Sequence, residues 1–129
     1  MLLVVIGLFF WSCSKKEETI PDDVLPKDKM VNVLIDLHLA ESKVSERKES
    51  VSEKVAIFNA YAEHIYEQHK TDSLQYKASH DYYMKDLTVM KEIYNNVSDS
   101  LQTLREEAEK RDRTIPNKVK KSETKGKKS

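Results

Sequence analysis

Glycine and proline are nearly missing from this 129-residue chain, which holds 2 of one and 3 of the other. Gly7 and Gly126 lie near its ends, and Pro21, Pro26 and Pro116 leave residues 27–115 free of either breaker. That absence excludes several chemistries. Phosphate-cradling loops, dinucleotide fingerprints, the Gly-x-Ser-x-Gly nucleophile elbow and the EF-hand loop each need a glycine where this chain has none. One cysteine, Cys13, rules out a disulfide within the chain. The four histidines, His38, His64, His69 and His80, are scattered, and no His-Glu-x-x-His is present, so no metal site is expected. The reading is of a non-enzymatic protein with no catalytic residues and no cofactor.

The N-terminus says where the protein belongs. Leu2 to Trp11 is an unbroken apolar run of ten residues. A bilayer-spanning helix needs about 20. A short run followed by a small residue, Ser12, and then Cys13 has the layout of a bacterial lipoprotein signal. Cleavage before Cys13 would free its thiol for a diacylglyceryl group. Phe10 and Trp11 are bulky for that position, and no Lys or Arg precedes the run, which fits a true start upstream of Met1. The competing readings are an ordinary secretion signal with an incidental cysteine and an uncleaved anchor. Each buried methylene of an acyl chain adds about 0.8 kcal/mol, so two or three chains hold a protein on a membrane without any spanning helix.

Charge divides the remainder. From Lys110 onward there are nine basic residues against Asp112 and Glu123, a net +7, so the chain before them carries −7 within a formal total of zero. The expected organisation is a signal peptide over 1–12, a lipidated tether over 13–26, a helical domain over 27–112 and a disordered basic tail over 113–129. The tail has too few apolar residues to offset the entropy of ordering. It is read as solvated, or as touching anionic lipid or glycan. Without interleaved aromatics it is not read as binding nucleic acid.

The breaker-free stretch, rich in Glu, Lys, Ala, Leu and Gln, predicts an all-α fold, a small bundle of three to four helices. The first helix is expected over Lys27–Ser45, with Met30, Val31, Leu34, Leu37 and Val44 on one face. His38 and Glu41 fall on that stripe, while Asp36 points away from it. The second, over Val51–His69, carries Val51, Val55, Phe58, Ala62 and Ile65, flanked by Tyr61 and Tyr66. Asp72 and Gln75 have capping-box spacing for a short third helix over Ser73–Tyr83. In the last helix Leu87, Met90, Tyr94, Val97, Leu101, Leu104 and Ala108 recur at heptad spacing. Packing within the bundle is the preferred use of that seam, and a homodimer is the less favoured one. His38, Glu41, Tyr76, Tyr82, Tyr83 and Tyr94 are expected to gather into a hydrogen-bonded cluster between helices. Its roles are to fix helix register or to form a partner-binding pocket.

Asp36-Leu-His-Leu-Ala-Glu41 resembles the opening motif of the domain of unknown function 4296, a family of small lipoproteins from Bacteroidota-type bacteria. His69, Tyr76, Ser79, Tyr82, Tyr83, Ile93, Tyr94, Val97 and Leu101 stand at the spacings of its later pattern. The resemblance covers roughly Val24 to Leu104. Lys70 replaces the family's usual Gly, and Leu87 its frequent Pro. The resemblance implies a small helical bundle on a lipid anchor and no known activity. In such bacteria Lys16-Glu17-Glu18, just after the anchored cysteine, resembles a surface-export signal, and the expected location is the outer membrane, on its outer or periplasmic face. The expected role is an interaction or accessory module of a cell-envelope complex with an envelope protein as partner. The alternative is a protein that binds anionic lipid or glycan through its tail.

Overall fold

The computed structural model describes residues 19–123, with side chains through residue 114. Among the described residues there are four α-helices and no strand: α1 (Lys27–Ser45), α2 (Val51–Gln68), α3 (Ser73–Tyr83) and α4 (Leu87–Glu123). The all-α bundle read from the missing breakers is the fold. The signal segment, Cys13 and Lys16-Glu17-Glu18 lie outside the described residues. No described helix is long and apolar enough to cross a membrane.

Local chemistry sets the helix ends. Ser50 and Glu53 cap α2 reciprocally: the Glu53 N–H donates to Ser50 Oγ (3.4 Å), and the Ser50 N–H donates to Glu53 Oε2 (2.9 Å). The Ser50 hydroxyl also donates to Glu53 Oε2 (2.6 Å), and that bond first, with the one from the Ser50 N–H, holds the Glu53 carboxyl below the usual carboxylate range. At α3 the predicted box is half made. The Gln75 N–H donates to Asp72 Oδ1 (2.8 Å), but Gln75 Oε1 is taken by the Thr71 hydroxyl (2.7 Å). Asp86 caps α4, accepting from the N–H groups of Thr88 and Val89.

α2 ends in a left-handed turn although the usual glycine is absent. Lys70 has φ of +50°, the Thr71 N–H donates to Tyr66 O and the Lys70 N–H to Glu67 O, both near 3.0 Å. This is the Schellman pattern, which favours glycine at the left-handed residue. A side chain there costs about 1–2 kcal/mol, partly offset because glycine makes the unfolded chain freer. Lys70→Gly is therefore expected to raise stability by about 0.5–1 kcal/mol. A urea midpoint that stays put would show that the turn is unstrained.

α1 is the central helix, packed on α2 along one side and α4 along another. α2 runs antiparallel to it: Lys54 Nζ donates to Ser45 O at one end and Lys29 Nζ to Lys70 O at the other. α4 starts beside the start of α1, where Lys27 Nζ lies 3.5 Å from Glu92. α3 closes this end, and the chain before α1 is pinned to it. Ser79, fully buried, accepts from the Leu25 N–H (2.8 Å) and donates to Gln75 O (2.6 Å). The Tyr83 hydroxyl donates to Leu25 O (2.6 Å). Both backbone groups of buried Leu25 are thus satisfied by α3.

The core follows the expected stripe on α1 and departs from the expected ones on α2 and α4. Met30, Val31, Leu34, Leu37 and Val44 are buried, and Val33 and Ala40 join them. On α2 only Ala62, Ile65 and Tyr66 are buried, while Val51 (80 %) and Val55 (54 %) are exposed. On α4 the buried residues are Met90, Ile93 and Val97. Leu87, Tyr94, Leu104 and Ala108 of the expected seam are exposed, and Ile93, outside it, is 1 % exposed. Leu87 and Tyr94 are exposed because the buried stripe Met90–Ile93–Val97 is offset from the 3-4 seam, and Leu104 and Ala108 because of length. α4 has 37 residues and spans about 55 Å, against about 28 Å for the 19-residue α1. Its distal part outruns the helix it packs on. The helix also continues past Arg113, where the sequence places the start of a disordered tail, and through Pro116 to Glu123. Residues 124–129 lie outside the described residues.

Candidate functional site

The structure distributes the six expected cluster residues over three places. His38 and Glu41 pair along α1, with Nδ1 3.5 Å from Oε2, and the His38 ring lies 6.4 Å from that of Tyr94 on α4. This trio sits where the inner face of α1 opens to solvent. Leu34 and Leu37 are covered, His38 and Tyr94 are partly exposed, and the Glu41 carboxylate is mostly in water. The expectation that Glu41 joins a hydrogen-bonded cluster between helices is therefore corrected: its carboxylate is 70 % exposed and pairs with His38 of its own helix.

Tyr76 adjoins this trio, close enough to Tyr94 for that phenol to add to the burial-driven rise in its pKa, but it packs on α2 and α3. Its ring packs 5.4 Å from Tyr66 and 6.4 Å from His80, against the core. Burial pushes its phenol up to about 12, with Tyr66 adding to the effect, so it stays neutral and serves packing. Tyr82 and Tyr83 stand at the α3–α4 elbow, edge to face at 5.4 Å, with Lys85 Nζ 5.9 Å from the Tyr82 ring. Together with Ile20, Lys27 and Val89 they line a cavity of about 200 Å³. That volume suits one side-chain-sized group rather than a cofactor.

Two polar links were not foreseen. Asp36 Oδ2 lies 2.7 Å from His69 Nε2, joining α1 to the C-terminus of α2. Asp36 points away from the Leu34 stripe, and a one-sided helix would leave it in solvent. But α1 has two packed sides. Val33, Leu37, Ala40 and Val44 form a second apolar stripe at 4-3-4 spacing, and reading it would have turned Asp36 toward α2. The Ser79–Leu25–Tyr83 clasp left no comparable trace, because its acceptor and donor are backbone groups.

An exposed apolar stripe belongs to α2. Val51, Val55, Phe58, Ala62 and Ile65 lie on one face at helical spacing. The face is buried at Ala62 and Ile65, half-buried at Phe58 and open at Val55 and Val51. It opens at the same end of the α1–α2 hairpin as Glu41. Among the described residues no three of His, Cys, Asp and Glu come together in a group that could hold a metal ion. The arrangement can offer a contact surface with an apolar stripe and a margin of mixed charge, Glu41, Glu46, Glu49 and Glu53 beside Lys43, Arg47, Lys48 and Lys54. The basic residues Lys110, Arg111 and Arg113 are exposed far along α4.

No curated protein and no solved structure matches the chain. One family does: the sequence profile of the domain of unknown function DUF4296 matches residues 21–107. That span holds the DLHLAE segment, the Lys70 turn, the whole of α3 and the buried part of α4. The chain belongs to the DUF4296 family.

Proposed function

We propose that this protein is a membrane-anchored, non-enzymatic interaction module, an accessory subunit of a cell-envelope complex held on the outer membrane through lipid on Cys13. One observation carries the reading: the inner face of α2 continues past the core as an open stripe, Val51–Val55–Phe58. The fitting partner is an amphipathic helix of an envelope protein, its apolar side on the valines and basic residues toward the acidic body. The charge of the body, −7 before Lys110, favours that polarity.

The test pairs Val51→Asp with Val55→Asp in the anchored chain. Both valines are exposed, so stability should change by less than about 0.5 kcal/mol. Recovery of the protein that co-purifies with the wild type after gentle detergent extraction should fall at least about tenfold. Equal recovery by the double variant, or no stoichiometric partner at all, would remove the proposal. A second reading rests on the exposed Lys110, Arg111 and Arg113 and the basic sequence beyond them: contact with anionic lipid or glycan by charge. Binding of that kind collapses at high salt and survives the valine substitutions.

A further inference from the structure

The elbow between α3 and α4 encloses space that neither the core nor the α2 stripe uses. The cavity there, about 200 Å³, has apolar walls from Ile20, Tyr82, Tyr83 and Val89. Ile20 reaches it from the segment ahead of α1, which the Leu25 attachments hold in place. Two amines border it, those of Lys27 on α1 and Lys85 in the elbow. Lys85 Nζ rests 5.9 Å from the Tyr82 ring, and among the described residues it pairs with no carboxylate. Lys27 Nζ lies 3.5 Å from Glu92, which is not part of the wall. Both of those side chains are exposed, and such a pair yields easily to a better partner. The one carboxylate on the wall, Asp86, turns its Oδ1 to the Thr88 and Val89 N–H groups, where the start of α4 offsets its charge.

We infer that this cavity is a binding site for a small carboxylate carrying one compact apolar group, an aryl- or branched alkylcarboxylic acid. The apolar group fills the space between Val89 and the tyrosines and sheds its water there. The carboxylate stays at the mouth, with Lys85 as its main partner and Lys27 as a second, in charge-assisted hydrogen bonds. The volume limits the apolar part to a phenyl ring or a short branched chain. A neutral ligand of the same shape leaves the Lys85 amine without a counter-charge, and a cationic one adds to the positive charge already present. A bare anion such as phosphate leaves the apolar walls wet. The site lies at the start of α1, the opposite end of the α1–α2 hairpin from Val51, so it stands apart from the envelope-partner reading.

The test uses the full chain in an uncharged maltoside detergent, labelled at its Ile and Val methyl groups and titrated with hydrocinnamate while NMR spectra are recorded. The Ile20 and Val89 methyls should shift saturably, with a Kd on the order of 1 mM, ordinary for a ligand of this size. Hydrocinnamide and phenylpropylamine, matched in shape, should bind at least about fivefold more weakly. Lys85→Met, at an exposed position, should weaken hydrocinnamate about fivefold or more and leave hydrocinnamide as it was. Val89→Phe should fill the cavity and block binding, with thermal unfolding to check that the bundle is intact. Val51→Asp/Val55→Asp should change nothing. No shift at either methyl up to about 10 mM overturns the inference. So does an amide or amine that binds as tightly as the acid, or a Lys85→Met variant with undiminished affinity for the acid. Saturable shifts at Val51 and Val55 with none at Ile20 and Val89 would place the ligand on α2 and overturn it equally.

Discussion

Ser79→Ala combined with Tyr83→Phe is expected to remove most of the stability of this domain. Ser79 Oγ satisfies the Leu25 N–H, and Tyr83 Oη satisfies the Leu25 carbonyl, both inside the core. Deleting either hydroxyl strands one buried backbone group, at about 1–3 kcal/mol. A domain of this size has only a few kcal/mol in hand. The two changes act on one residue, so they should couple by about 0.5 kcal/mol or more in a double-mutant cycle. Urea unfolding of the two single variants and the double variant measures this. Tyr83→Phe keeps the ring and its edge-to-face contact with Tyr82, so packing loss is held small. Single-variant losses below about 0.5 kcal/mol would mean that water reaches Leu25.

The second large effect contrasts two residues on one helix face. Ile93→Ala should cost about 2–5 kcal/mol, since Ile93 is 1 % exposed and surrounded by core. Leu104→Ala, three turns on and 40 % exposed, should cost less than about 1 kcal/mol when measured on dilute protein. Parallel urea titrations decide it. Similar losses at the two positions would mean that the bundle covers α4 further than Val97.

Those residues also show what the sequence could and could not convey. The absence of glycine and proline over residues 27–115, with helical spacing on each side of short polar linkers, marks the helices well. Spacing alone does not say how far along a stripe a neighbour reaches. Val51 and Val55 have the same chemistry and periodicity as buried Ala62 and Ile65. They differ only in that no helix lies over them. The heptad reading of α4 preferred Leu87 and Tyr94 and passed over Ile93, because a strict 3-4 repeat describes a two-helix seam, whereas α4 meets α1 and, more lightly, α3. His38 and Glu41 share the apolar face of α1, and spacing does not reveal that the Glu41 carboxylate lies mostly in water. Lys70 shows that a left-handed turn can form without glycine when paired backbone bonds hold it. The open faces of α2 and α4 emerge only once the bundle is assembled.

The double attachment of Leu25 has a mechanical consequence. Tension arriving along residues 19–24 meets a single residue whose N–H and C=O are both fastened to α3. The first turn of α1 follows that fastening, so the pull passes sideways into α3 before it can unwind α1. Because both bonds sit on one peptide segment, they resist in parallel and must rupture together. A tug from the N-terminal side therefore meets a bolt rather than a zipper.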